Sequence, residues 1–138
     1  MFPLISRSIA PLRALSSFSI LYSTEASSST PSARQLKAMS VKSQVDSAIA
    51  DNKAVIFSKS YCPYCRRAKA LFSSEFPSVP LKVFELDEVE GGDQIQAYLA
   101  ELTGQRTVPN VFINQKHIGG SDDLAGLHRV GGVRKMLL

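Results

Sequence analysis

The chain has 138 residues, 44% of them hydrophobic, which is room and apolar content for one compact domain and a tail. The net charge of +4 comes from 16 Lys and Arg against 12 Asp and Glu. No long basic run is present, so a nucleic-acid-binding stripe is not supported. No apolar stretch approaches the ~18 residues needed to cross a bilayer, and no membrane span is expected.

Part of the positive charge belongs to the first quarter of the chain, where Arg7, Arg13 and Arg34 stand against Glu25 alone. Residues 1–35 read as an address segment. They are Ser-rich and free of acid until Glu25, and Leu4, Ile5, Ile9, Leu12, Leu15, Ile20 and Leu21 can form one side of a loose amphipathic helix. That is the pattern of an organelle transit peptide, whereas Arg7 and Arg13 would interrupt the apolar core of a secretory signal. Well-spaced Arg fits the mitochondrial matrix slightly better than a plastid, which stays open. A plastid protein and a cytosolic one with a plain disordered tail are the alternatives. Ser23 to Ser32 are too polar to fold alone. The folded domain is expected over residues 36–138.

In that domain Val41, Val45, Ala48 and Ile49 recur at helical spacing and end at Asp51-Asn52. Ala54 to Ser58 reads as a buried strand. A second helix is expected from about Cys62 to Glu75, with Ala68, Leu71 and Phe72 inward and Arg66, Arg67 and Lys69 outward. Pro77 and Pro80 stop it. Lys82 to Leu86 is a second strand. Gly91-Gly92 breaks the chain, Asp93 is expected to cap a third helix, and Ile95, Leu99 and Leu102 share its inner face. Asn110 to Ile113 and Lys116 to Ile118 form a hairpin across Asn114-Gln115. Gly119-Gly120 ends it. Ser121, Asp122 and Asp123 offer caps for a helix through Leu124 and Leu127, and Val133 to Leu138 make a last turn or two. A helix between the first two strands makes them parallel, with a right-handed crossover. The hairpin is antiparallel. A four-stranded mixed α/β sheet with helices on both faces follows.

The only two cysteines, Cys62 and Cys65, lie three residues apart in Lys59-Ser60-Tyr61-Cys62-Pro63-Tyr64-Cys65, where a strand turns into a helix. A disulfide closing so small a loop would constrain the unfolded chain little. A redox pair, half of a metal site or coincidence remain. His117 and His128 lack ligand spacing to either cysteine, and no mononuclear metal site is expected. At a helix N-terminus the unpaired N–H groups and the positive end of the dipole favour a thiolate. Such surroundings, with nearby cations, bring a thiol from ~8.5 to roughly 3.5–7.5. Lys59 is expected to supply charge, with Arg66 and Arg67 adding a weaker field. Cys65, one turn on, falls deeper against the sheet and stays protonated.

Four separated pieces, Cys62-Pro63-Tyr64-Cys65, Thr107-Val108-Pro109, Gly119-Gly120 and Ser121-Asp122-Asp123, make residues 40–138 resemble a dithiol glutaredoxin. Tyr61 before the pair, and no Trp in the chain, set it apart from thioredoxins proper. The resemblance implies a thioredoxin-like three-layer sandwich and glutathione-dependent disulfide exchange. Cys62 would be the nucleophile and Cys65 the resolving thiol. It also implies a cis bond at Val108-Pro109, with the Val108 backbone pairing the cysteinyl part of glutathione. Thr107 and Gly120 would border that groove and Tyr64 would wall it. Lys59, Gln96 and Arg106 would meet the glycine end. The first-turn amides at Asp122 and Asp123 would take the γ-glutamyl carboxylate, and the Asp123 side chain the α-amino group. Asp122 departs from relatives, which often have Cys, Asn or Ser there, and makes the pocket more negative. The expected partners are glutathione, as cosubstrate with no tightly bound cofactor, and glutathionylated or disulfide-containing proteins. A monomer is expected. The alternative within the family is a glutathione-ligated [2Fe–2S] cluster between two chains, against which Pro63 argues.

Overall fold

The computed structural model describes residues 31–138. The expected address segment lies outside the described residues except for its last five. The first helix, α1 (Ala33–Asp51), starts within those five. Ser32 accepts from the Gln35 N–H and the Gln35 side chain takes the Ser32 N–H at 2.8 Å, a reciprocal box that satisfies two otherwise orphaned donors.

Then follow β1 (Ala54–Ser58), α2 (Pro63–Glu75), β2 (Leu81–Glu85), α3 (Gly92–Thr103), β3 (Asn110–Ile113), β4 (Lys116–Gly119), α4 (Ser121–Arg129) and α5 (Gly132–Leu137). The sheet order is β2-β1-β3-β4, with β1 and β2 parallel and the other pairs antiparallel. This is the mixed sheet expected from the element order. β1 is central and all five of its residues are buried, as a strand covered on both faces must be. Its side chains alternate. Val55 and Phe57 join Val45, Ile49, Ile95, Leu99 and Phe112 under α1 and α3. Ala54 and Ile56 join Ala68, Phe72, Val111, Leu124 and Val133 under α2, α4 and α5. Each large side chain so buried contributes about 1.5–3 kcal/mol of transfer free energy. The turn between β3 and β4 places Asn114 and Gln115 at φ 47° and 65°, the two left-handed residues of a type I′ hairpin.

Three local expectations change. Asp93 is not the cap of α3; Gly91, at φ 74°, holds that position and Asp93 sits in the first turn, where its charge still suits the dipole. Leu102 is 48% exposed, because the next inward position after Leu99 falls to Thr103, whose hydroxyl donates to the Leu99 carbonyl at 2.7 Å. Lys69 is half-buried and forms an ion pair with Glu85, which ties α2 to β2.

Gly92 shows why the break before α3 needs two glycines. A Cβ there would lie 1.7 Å from the Leu86 carbonyl oxygen, so only a bare backbone can pass. Gly92→Ala should therefore force α3 off the end of β2 and destabilise the domain by about 1–3 kcal/mol, as for other overpacked sites. Equilibrium denaturation measures it, and an unchanged midpoint would contradict this contact.

Candidate active site

The strand directions bring four chain segments to one edge of the sheet: the C-terminal ends of β1, β2 and β4 and the N-terminal end of β3. Past β1, Lys59 to Tyr61 turn, with the Cys62 N–H donating to the Lys59 carbonyl at 3.0 Å. Cys62 is the N-cap of α2, with extended backbone at φ −79° and ψ 120°. Pro63 follows in the first turn, where a missing N–H removes no intrahelical bond.

Cys62 is half-buried and Cys65 fully buried. Partial burial disfavours ionisation of Cys62. The N–H and thiol of Cys65, the Tyr64 N–H and the Arg66 guanidinium oppose it, and together they hold the Cys62 thiol below its ordinary pKa. Cys65 goes the other way: burial raises its thiol pKa, and the neighbouring Cys62 sulfur adds to that, against weaker opposition from the Lys59 backbone and the Ser58 hydroxyl. The pair is thus divided into an outer sulfur that ionises more readily and an inner one that ionises less readily, the separation of roles that acid–base partners need.

Arg66 is a cation that acts on Cys62. Lys59 acts on Asp87, whose carboxyl is held below the usual range mainly by hydrogen bonds from the Ser60 hydroxyl and N–H and, more weakly, by the Lys59 charge. The Ser60 N–H reaches Asp87 Oδ1 at 2.9 Å, and the Ser60 hydroxyl donates to Oδ2. Asp87 so anchors the turn before the nucleophile, a role the sequence reading did not assign. The parallel register pairs Ser58 with Glu85; carried two residues on, it puts Ser60 beside Asp87, and that was the available signal. Tyr64 is 50% exposed, with the Arg67 guanidinium 4.7 Å from its ring centroid.

Across from the turn, the Val108–Pro109 bond is cis, as expected. The Val108 carbonyl oxygen lies 3.9 Å from Cys62 Sγ. Thr107 is exposed, Val108 half-buried and Pro109 buried. Gln105, also unassigned by sequence, donates from Nε2 to the Thr107 carbonyl at 3.0 Å and the Pro109 carbonyl at 2.8 Å. On α3, Gln96 donates to the Arg106 carbonyl at 2.8 Å, and the two residues line a shallow cleft with Ala97, Ala100 and Glu101.

The third segment is the start of α4. Gly120, not Ser121 or Asp122, is its N-cap. Its N–H donates to Asp123 Oδ2 at 3.0 Å. Gly119 sits at φ 121°, and a Cβ there would lie 2.4 Å from the same oxygen. The cap therefore depends on glycine, and the Asp123 carboxylate is folded back over it. Asp122 stays exposed in the first turn. A Cβ on Gly120 would meet Gln105 Nε2 and the Pro109 oxygen, both at 3.8 Å, so the proline loop and the α4 start adjoin.

His117 approaches Gln105 Oε1 at 3.2 Å and His128 stands edge-on to Phe76, neither beside the cysteines. Among the described residues no group of three His, Cys, Asp or Glu is placed to hold a metal ion.

The glutaredoxin family model matches residues 54–118. Glutaredoxin-C4 of Arabidopsis thaliana is 54% identical over 93 residues, 67% of this chain and 67% of that protein. The chain belongs to the glutaredoxin family. Glutaredoxin-C8 of Oryza sativa subsp. japonica is 50% identical over 99 residues, covering 71% of this chain and 72% of its own. Among solved structures, a buckwheat glutaredoxin–glutathione complex superposes with a TM-score of 0.68 at 46% identity, over 78% of this chain and 94% of that one. The glutaredoxin match gives the sheet and its flanking helices their thioredoxin-like class and makes the chain a thiol oxidoreductase.

Alkylation reports the thiolate fraction, so its rate at Cys62 falls as pH drops through the lowered folded pKa. Arg66→Gln removes one favourable charge and should move the midpoint upward. Iodoacetamide would then react more slowly at mildly acidic pH and equally fast at alkaline pH. A midpoint that does not move would remove Arg66 from the account.

Proposed function

We propose that this glutaredoxin reduces protein–glutathione mixed disulfides and protein disulfides, with Cys62 as nucleophile and Cys65 as resolving thiol. The observation that carries the reading is the opposite displacement of the two thiols, the outer one down and the inner one up. The Cys62 thiolate attacks the glutathione sulfur of the mixed disulfide. The bond to the protein sulfur breaks, and that sulfur leaves as a thiolate and takes a proton. A second glutathione then attacks the Cys62-bound glutathione and departs as oxidised glutathione, restoring the Cys62 thiolate. With a protein disulfide, Cys65 gives up its proton as it attacks the Cys62 mixed disulfide and releases the target's second thiol. Glutathione then reduces the Cys62–Cys65 bond. Potentials of the family lie at roughly −200 to −230 mV, close to glutathione pools, so the local glutathione poise sets the direction.

For glutathione itself, the similarity to a chain solved with glutathione supports a groove along the same edge. The backbone of Val108 pairs the cysteinyl unit in the manner of an added strand, with Thr107 and Pro109 on either side and Tyr64 as a wall. Gly120 and the first-turn amides of α4, at Asp122 and Asp123, receive the γ-glutamyl carboxylate, and the Asp123 side chain meets the α-amino group. Gln96, Arg106 and Lys59 serve the glycine end. Residues 1–35 act as an address to the mitochondrial matrix, which a fluorescent fusion of the full chain tests against plastid and cytosol.

Cys62→Ser should abolish turnover of a glutathionylated peptide, whereas Cys65→Ser should retain it and lose dithiol reduction. Equal losses in both variants would refute the assignment of roles. Asp122→Asn removes an exposed like charge near the carboxylate pocket and should lower KM for the glutathionylated peptide by up to about fivefold, the scale of an exposed charge interaction. An unchanged or raised KM would show that Asp122 does not face the γ-glutamyl group.

A further inference from the structure

We propose that Gln105 is a positioning residue: by binding the Thr107 and Pro109 carbonyls with one amide group, it aims the Val108 N–H at the substrate. The inference rests on the proposed pairing of the Val108 backbone with glutathione. Two carbonyl oxygens can accept only from the nitrogen of the Gln105 amide, so Nε2 faces the loop and Oε1 faces His117. That orientation makes His117 Nε2 the donor to Oε1.

The Thr107 carbonyl and the Val108 N–H belong to one trans peptide unit, because Val108–Pro109 is the only cis bond among the described residues. In a trans unit the two groups point in opposite directions. Drawing the Thr107 oxygen toward Gln105 therefore turns the Val108 N–H away from it. The second bond, to Pro109, fixes the loop on the far side of Val108, whose own carbonyl lies 3.9 Å from Cys62 Sγ. One side chain thus constrains the Thr107–Val108 peptide unit and, beyond the cis bond, the Pro109–Asn110 unit, on either side of the residue that faces the nucleophile.

The Gln105 backbone is fixed in turn. Its N–H donates to Thr103 Oγ1 at 3.1 Å, and the same oxygen lies 3.4 Å from Asn110 Nδ2 at the start of β3. The clamp is therefore held by the end of α3 and by the strand that the loop enters. It touches neither cysteine, so it acts on how substrate is held and leaves the sulfur chemistry alone.

The test is steady-state kinetics with a glutathionylated peptide, together with the pH profile of Cys62 alkylation, for Gln105→Ala, Gln105→Glu and His117→Ala. Gln105→Glu keeps the shape and the acceptor facing His117 but has no N–H for the two carbonyls. Both Gln105 variants should raise KM roughly tenfold with kcat within about twofold, the scale of two lost hydrogen bonds. Their alkylation profiles should match wild type, and His117→Ala, which spares both carbonyl bonds, should change KM less than about twofold. Wild-type turnover with an unchanged KM in Gln105→Glu would overturn the clamp alone. A shifted alkylation profile in the Gln105 variants, or a KM rise in His117→Ala equal to theirs, would overturn it as well. A wild-type chain that does not turn over the peptide would refute the proposed function and this inference with it.

Discussion

The site depends on the placement of Cys62 at the N-terminus of α2, where the first-turn amides and Arg66 lower its thiol pKa. Burial by itself would raise the pKa of this thiol. The Tyr64 and Cys65 N–H groups, the Cys65 thiol and the Arg66 charge reverse that shift. Everything else at the site either holds this sulfur in place or faces it. The Lys59 carbonyl and Asp87 set the turn that delivers Cys62 to the helix end. Pro63 starts the helix without blocking a donor. Phe72 and Ala68 bury the inner face of α2 against Ile56 and Val111, so the helix cannot drift from the strand that feeds it.

Sheet topology turns a local device into a groove. Because β1 and β2 run parallel while β3 runs against β1, the cysteine turn, Asp87 and the proline loop share an edge. The β3–β4 hairpin then returns the chain to that edge at Gly119 and Gly120. A ligand lying along it meets, in order of the sheet, acidic and cationic turns, a sulfur, a backbone able to pair as a strand, and a helix N-terminus. Two glycine requirements protect this layout. Gly92 lets α3 start hard against Leu86, and Gly119 leaves room for the Asp123 carboxylate.

Much of this was legible in the residues. The all-apolar run of β1, the two-residue hairpin at Asn114-Gln115 and the Cys-Pro-Tyr-Cys turn each have a local physical cause, and the structure realises them at the expected places. Where the reading differs, the deciding contact is non-local. Nothing near Leu102 in sequence says that the sheet side of α3 passes to Thr103. Asp93 and Ser121 have the right chemistry for caps, but the caps fall on Gly91 and Gly120, next to Gly92 and Gly119, where Leu86 and the Asp123 side chain leave no room for a Cβ. The part Asp87 plays in the cysteine turn could not be seen until the register of β2 brought it beside Ser60. Gln105 carried no motif at all, since its partners are backbone carbonyls that no sequence pattern displays.

The most direct test of the central claim is an ultraviolet titration of thiolate absorbance on the reduced protein, with Cys65→Ser to assign the steps. The account predicts two separated transitions, the first below the ~8.5 of a free thiol and belonging to Cys62, the second above it and belonging to Cys65. Two thiols ionising together in the ordinary range would contradict it.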